Sequence, residues 1–204
     1  MTVREIIERI RNSTHDWQEV SYTDEVLLGY INDGYRLMRR TIADIAPLTL
    51  AETIVGKIEA DEEGIIPDTV TFEDKIAAFI DVTVDGHKLK QVNWADVQDL
   101  PDGGRTQYFY AVGFNEVSFY PPPGECSYRF MVIKDTTLLT KDDESPLPED
   151  LNDFLFEYAS ARASISNEFD ISQEMTLIGN IVSQIEAYLH RRSPSHITID
   201  GYWG

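Results

Sequence analysis

Cysteine is nearly absent from this sequence of 204 residues, since only Cys126 is present. A single cysteine cannot form a disulfide within the chain, which predicts a protein made in a reducing compartment. The four histidines have no partner at metal-ligand spacing, because neither His-x-x-x-His nor Cys-x-x-Cys occurs. Glycine-rich phosphate loops and the Gly-x-Ser-x-Gly motif are missing as well. We therefore expect no metal, no cofactor and no catalytic residue, and we predict a protein that is not an enzyme.

Positive charge is also scarce. Seventeen lysines and arginines stand against thirty-six aspartates and glutamates, which gives a net charge of −19. A surface this acidic repels nucleic acid and anionic membrane at long range, so wrapping of phosphate is excluded as a main task. No apolar run reaches the length of a membrane span, and the start MTVREIIERIRN lacks the apolar region of a signal peptide. We expect synthesis in the cytoplasm and no membrane partner.

Helical periodicity is present at both ends of the chain. Thr2 and Glu5 fit a capping box, and a short apolar helix follows them. Thr23 is a plausible N-cap for a long helix over Tyr22–Asp44, which Pro47 ends. The apolar stripe of that helix comprises Val26, Leu27, Tyr30, Ile31, Leu37, Met38, Ile42 and Ile45. Two further helices are predicted near the end. One begins near Pro148 and carries Leu151, Phe154, Leu155, Tyr158, Ala159 and Arg162 on its inner side. The other is capped by Asp170 and carries Met175, Ile178, Ile181, Val182, Ile185, Tyr188 and Leu189.

The middle of the chain has a sequence pattern typical of β-strands. Thr53–Ile58 and Ile76–Val84 are rich in β-branched residues, and Asp85-Gly86 is a strong hairpin turn. The aromatic segments TQYFYAVG, EVSFYPPPG and CSYRFMVIK predict an antiparallel meander. In the third segment one face carries Cys126, Tyr128, Phe130 and Val132, and the other carries Ser127, Arg129, Met131 and Ile133. That second face is less polar than a solvated face, which predicts that it packs against helices or a neighbouring subunit.

These patterns together predict an α+β fold. Two N-terminal and two C-terminal helices would form an antiparallel bundle, with a β-rich lobe inserted between the pairs and an extended tail at the end. The predicted parts are residues 1–47 for the first helical pair, 48–140 for the β-rich lobe, 141–192 for the second helical pair and 193–204 for the tail.

Two charged segments are candidate contacts between subunits. Arg36, Arg39 and Arg40 form a basic cluster on the long helix. They either complement the helix dipole and form local salt bridges or dock onto an acidic surface of another subunit. The candidate acidic partner is the joint that contains Asp142, Asp143 and Glu144.

The tail has an unusual composition for a polar end segment. It carries Ile197 and Ile199 in alternation and then Tyr202 and Trp203. This pattern predicts a strand that adds to a foreign sheet edge and seats an aromatic anchor, so these four residues are candidate docking residues for a partner protein or a neighbouring subunit. The alternative is a tail that folds back onto its own domain.

Four segments together resemble bacteriophage head-to-tail adaptor proteins, also called connectors. They are TVREIIERIR, YTDEVLLGYINDGYRLM, YFYAVGFNEVSFYPPPGECSYRFMVIK and LPEDLNDFLFEYASARA, and the resemblance spans about residues 2 to 192. It implies a structural protein of the virion neck that forms a ring, usually a dodecamer, beneath the portal protein. Such a ring extends the DNA channel, which DNA passes without specific binding, and offers a platform to the tail or the next neck protein. The β-rich middle is longer here than in all-helical connectors.

Two other functions stay open at this point. The aromatic meander, with Tyr108 and Tyr120, could be the contact surface of a tail-fibre or carbohydrate-recognition module. The many acidic residues could also include a catalytic pair of a hydrolase, although no pair stands out.

Overall fold

The chain folds as two compact units. The structure is a computed structural model, and it describes residues 1–16, 21–101, 103–165 and 171–192. The first unit comprises Met1–Ala46 with Thr136–Gly204, and the second comprises Pro47–Asp135; we call them the helical unit and the β unit. The described residues contain four α-helices, two short 3₁₀-helices and eight strands, which confirms the predicted α+β class with helices at both ends of a β-rich region.

The helical unit is built around its second helix. Its helices are α1 (Val3–Thr14), α2 (Asp24–Ile45), α3 (Glu149–Ile165) and α4 (Ile171–Arg192). Helix α2 contacts each of the other three. The predicted caps of α1 and α2 are present, since Thr2 and Glu5 form a reciprocal capping box on α1 and Thr23 Oγ1 accepts a bond from the backbone N–H of Val26.

The core of this unit follows the predicted stripes with two corrections. The fully or nearly buried apolar residues on α1, α2, α3 and α4 include Val3, Ile6, Ile10, Leu27, Ile31, Met38, Ile42, Leu151, Leu155, Ala159, Ile181, Ile185 and Leu189. The predicted stripes also include Val26 and Met175, which are 41% and 65% exposed. On α2 the buried residues also include Asn32, Gly34 and Tyr35, which are not in the predicted stripe. Gly34 lies against Leu155 and Tyr158 of α3.

The β unit contains two four-stranded sheets. The strands are β1 (Glu52–Ile58), β2 (Thr69–Thr71), β3 (Ile76–Val84), β4 (His87–Lys88), β5 (Lys90–Gln91), β6 (Tyr108–Ala111), β7 (Glu116–Tyr120) and β8 (Cys126–Lys134). One sheet has the order β1-β8-β3-β4 and the other has the order β2-β7-β6-β5. The 3₁₀-helices are Pro47–Thr49, directly after α2, and Trp94–Asp99.

Residues from both sheets fill one core. Phe130 of β8 is fully buried, and its ring lies 5.1 Å from that of Phe72 and 6.1 Å from that of Phe119. Phe79 lies 5.6 Å from Phe109. These tilted and edge-on ring pairs are the geometries that aromatic side chains prefer. Most aromatic residues that stand out in the sequence are therefore packing residues.

The predicted three-stranded meander is wrong. Strands β6 and β7 form the expected antiparallel hairpin, but β8 pairs with β1 and β3 in the other sheet. The side-chain alternation of β8 is the same whichever strands flank it, so the pattern could not identify the partners. The return strand after Asp85-Gly86 is also divided, because Lys90–Gln91 pairs with β6 in parallel and leaves buried Leu89 between the sheets.

Candidate docking surfaces

A buried ion network links the end of α1 to the start of α2. The guanidinium of Arg11 lies 3.3 Å from Asp16 Oδ2 and 2.5 Å from Asp24 Oδ1, and it donates to the backbone carbonyl of Tyr22 at 3.0 Å. The Asp16 carboxylate in turn accepts bonds from the backbone N–H groups of Ser21 and Tyr22. The side chains of Arg11 and Asp16 are only 9% and 4% exposed, so the loss of either one would leave the other as a buried charge without its counter-ion. No motif in the sequence marks this network.

The start of α2 is also tied to the segment before α3. Lys141 Nζ lies 2.8 Å from Asp24 Oδ2. The hydrogen bond from Lys141, followed by that from Arg11, lowers the pKa of Asp24 below its usual value. The same hydrogen bond to Asp24 raises the pKa of Lys141. A carboxylate near the N-terminus of α2 therefore stays charged and joins three chain segments.

A second link between these segments is neutral. The side-chain amide of Asn32 donates to the carbonyl of Leu139 at 3.0 Å and accepts from its N–H at 2.8 Å. Asn32 is 6% exposed and Leu139 is 8% exposed. The paired bonds satisfy a stretch of backbone that would otherwise be buried without partners.

The acidic joint has partners within the helical unit. Asp142 Oδ1 lies 2.5 Å from the guanidinium of Arg4, and Asp143 Oδ2 accepts a bond from the N–H of Thr140. The backbone of Asp143 accepts from Val3 N–H, and Thr2 and Glu144 form an isolated antiparallel bridge. The joint thus anchors the start of α1, and the exposed side chain of Glu144 is its most available carboxylate.

The basic cluster of α2 has mostly local contacts. Arg36 pairs with Asp33 one turn earlier at 2.9 Å, and Arg39 lies over the ring of Tyr35. Arg36 and Arg40 are exposed, and among the described residues neither pairs with the Asp142–Glu144 joint. The last turn of α2 carries no basic residue, so these arginines lie short of the helix terminus that they could complement.

The β unit has an exposed aromatic cleft that the sequence did not single out. Trp94 is 66% exposed and Phe114 is 75% exposed. The cleft beside Trp94 has a volume of about 440 Å³ and includes Tyr110 and Val112 in its lining. The rings of Trp94 and Tyr110 lie 5.3 Å apart.

The outer face of the sheet β1-β8-β3-β4 forms a second open groove, of about 540 Å³. Its lining includes Val55, Lys57, Thr83 and Arg129. Ser127 and Arg129 are exposed there, on the face for which the sequence predicted a packing partner.

No cluster of His, Cys, Asp and Glu that could hold a metal ion occurs within the described ranges. Helices that are long and apolar enough to cross a membrane are likewise missing from the part of the chain that the structure describes. Cys126 is half-buried, and burial, followed by the charge of Asp85, raises the pKa of its thiol. The thiol is therefore held in its unreactive protonated form.

The predicted tail residues Ile197, Ile199, Tyr202 and Trp203 lie outside the described residues, as does the predicted cap Asp170. Their roles stay predictions from the sequence.

The described surfaces carry exposed charge and single exposed apolar side chains, and the described residues form no metal cluster. The family model for the SU10 adaptor protein matches residues 1–194, and the chain belongs to this family. It is therefore a bacteriophage adaptor protein and a structural component of the virion, as the resemblance of its sequence segments predicted. A search of curated proteins found no match.

Proposed function

We propose that the protein is a head-to-tail adaptor of the virion neck, which forms a ring beneath the portal protein and carries the tail or the next neck protein. The observation that carries this proposal is the family match, because it covers the helical unit and the β unit together. The net charge of −19 fits a channel wall, since a negative wall repels phosphate and lets DNA slide. The ring is expected to be a dodecamer by resemblance.

The tail is proposed to dock on the portal or on a neighbouring subunit. Its apolar residues Ile197 and Ile199 would add a strand to a sheet edge, and Tyr202 and Trp203 would fill a pocket. A chain that ends at Arg192 should keep its melting temperature and lose at least tenfold in portal affinity. Sedimentation with purified portal and negative-stain imaging of the ring measure this loss. His196→Ala, within the same segment, is the matched control, and normal attachment of the shortened chain would refute tail docking.

The basic cluster of α2 is proposed as a contact between subunits. Replacement of Arg36 and Arg40 by glutamate should weaken ring assembly on the portal at least tenfold, because like charges would then face an acidic neighbour such as Glu144. The melting temperature of the free protein should change by no more than a few degrees, since both side chains are exposed. Lys75→Glu with Lys90→Glu is the control for net charge. A large drop in melting temperature would instead assign the arginines to folding.

The exposed aromatic cleft favours one alternative, a tail-associated module that binds carbohydrate. Trp94, rather than the half-buried Tyr108 and Tyr120, has the exposure that stacking on a sugar requires. Binding to a glycan array that is lost in Trp94→Ala would support this alternative, and an absence of binding would leave the cleft as a protein contact.

A further inference from the structure

Three basic residues of the β unit lie on the same face of one sheet. Between Pro47 and Asp135 the sequence has seven lysines and arginines. The outer side of one sheet carries Lys57 of β1, Lys88 of β4 and Arg129 of β8. The hydrogen bonds from Ser127 lower the pKa of the Asp85 carboxyl, and the charge of Arg105 lowers it further. We call the three sheet residues and Val55 the basic face.

Local acids do not neutralise this face. One carboxylate, Asp81, serves two cations, with Oδ1 at 2.8 Å from Lys88 Nζ and Oδ2 at 3.3 Å from Arg129 Nη2. Lys57 lies 3.9 Å from Glu59, at the limit of an ion pair. The side chains of Lys57 and Lys88 are both 73% exposed. The basic face therefore keeps a positive excess on a strongly acidic protein.

The same face carries an apolar side chain in the open. Val55 is 70% exposed and lies in register with Arg129, which in turn lies in register with Thr83. Val55 lies in the centre of a charged, solvent-facing row, so a partner that meets the charges also covers its side chain. The charges around it select an acidic partner.

The chain itself carries a surface of the matching kind. In the turn Asp61–Ile65, Asp61 Oδ1 accepts bonds from the N–H groups of Glu63 and Ile65, at 3.0 and 2.8 Å. These bonds fix the turn and leave Glu62 and Glu63 exposed beside Ile65, which is 59% exposed. Two exposed carboxylates next to one apolar side chain mirror the two lysines next to Val55.

Other acidic runs are less suited to this role. Asp142 is bound to Arg4, and Asp74 pairs with Lys134. Glu149 and Asp150 lie in the first turn of α3, where the helix dipole already favours them.

We propose that the basic face of one copy binds the Asp61–Ile65 turn of a second copy. Lys57 and Lys88 would face Glu62 and Glu63, and Val55 would contact Ile65. A contact between two different patches can repeat head to tail from copy to copy, and it closes into a ring where the rotation between copies allows. The contact deepens the proposed function, because it would be a contact of the ring in addition to the one at α2. DNA is the less favoured ligand, since the surrounding charge of −19 repels phosphate.

A charge exchange tests this contact. The face variant replaces Lys57 and Lys88 by glutamate and keeps the Arg129–Asp81 pair. The turn variant replaces Glu62 and Glu63 by lysine and keeps Asp61. In an equimolar mixture both contacts are again complementary. The acidic face of the face variant binds the basic turn of the turn variant, and the natural face of the turn variant binds the natural turn of the face variant. Lys75→Glu with Lys90→Glu has the net charge of the face variant and is its control.

Self-association is measured by sedimentation velocity of the full chain without portal. A salt concentration of about 150 mM screens the long-range repulsion between acidic copies beyond about 8 Å but preserves contacts. We expect each variant alone to associate at least tenfold more weakly than the natural protein and the control, and the mixture to regain association. Natural association of either variant, failure of the mixture, or a natural protein that stays monomeric up to about 1 mM would overturn the proposal.

Two further readouts distinguish this contact from DNA binding and from portal docking. Binding of a DNA duplex by the natural protein that the face variant loses would overturn the proposal in favour of nucleic acid. The assay contains no portal, so its failure would leave portal docking through the tail untouched. Conversely, failure of portal docking would not affect the charge exchange.

Discussion

At the scale of single residues, the most consequential side chain of the helical unit is Arg11. It neutralises Asp16 and Asp24 and also binds the backbone of Tyr22. Loss of one partner from a buried ion pair is far more costly than loss of an exposed pair, because the remaining charge has no water around it. The two kinds of arginine pair can be compared directly, since α1 contains both.

Arg11→Ala should lower the free energy of unfolding by about 3–5 kcal/mol, because it leaves the carboxylate of Asp16 buried and uncompensated. Arg4→Ala removes an exposed pair with Asp142 and should cost no more than about 1 kcal/mol. Urea unfolding followed by circular dichroism measures both. Similar losses for the two variants would show that the Arg11 network is not what fixes the α1–α2 connection.

The lowered pKa of Asp24 makes stability depend on pH. The unfolded chain binds this proton more readily than the folded chain, whose carboxylate is held by Lys141 and Arg11. The stabilisation is therefore fully present above about pH 4 and is lost as the pH falls through the lowered pKa. Asp24→Asn should lower the free energy of unfolding at pH 7. It should also reduce the fall of that free energy with decreasing pH, as measured by urea unfolding at several values between about pH 2.5 and 7. Asp44→Asn, on the exposed side of the same helix, is the control for the loss of one carboxylate, and an equal slope in both variants would contradict the assignment to Asp24.

At the scale of elements, α2 is the central helix of the helical unit, because α1, α3 and α4 all pack against it. Its contact with α3 is close at Gly34. A methyl group there would lie 2.7 Å from Tyr158 Cδ1 and 2.9 Å from Leu155 Cδ1, and both side chains are buried. Gly29 of the same helix faces open space.

These two glycines predict opposite effects of the same substitution. Gly34→Ala should destabilise by about 1–3 kcal/mol, because the added methyl group overpacks the contact with α3. Gly29→Ala should stabilise by about 0.5–1 kcal/mol through helix propensity alone. Thermal and urea unfolding of both variants measure the difference. A stabilising Gly34→Ala would mean that α3 yields easily and that the close approach is unimportant.

At the scale of the whole molecule, negative charge dominates and positive charge is gathered in patches. Two such patches are the α2 arginines and the basic face of the β unit. This distribution suits a protein that meets acidic copies of itself while DNA passes nearby, because short-range pairs act at contact and long-range repulsion acts on the nucleic acid.

The free protein should therefore bind duplex DNA no more tightly than about 10⁻⁴ M at physiological salt, the weak end of non-specific binding. Fluorescence anisotropy of a labelled duplex measures this. Lys75→Glu with Lys90→Glu should leave the result unchanged. Micromolar binding would contradict the proposed passive passage of DNA.

The sequence by itself determined the local elements of this protein. Helical spacing, the capping box at Thr2 and Glu5, and the cap at Thr23 depend on neighbours within a few residues, and all of them are present. The hairpin at Asp85-Gly86 is equally local, since both residues adopt the positive φ that a two-residue turn requires. The net charge also needed no structure.

Only the tertiary structure decided which distant elements meet. Strand β8 has one alternation pattern and many possible partners, so its pairing with β1 and β3 depended on the shared core around Phe130. Arg11 stands on the buried stripe of α1, four residues after Ile7, but only the fold shows that Asp16 and Asp24 surround it. The exposure of Trp94 and the basic face arise in the same way. Long-range contacts depend on the whole arrangement of chain segments, whereas periodicity records only what happens within one of them.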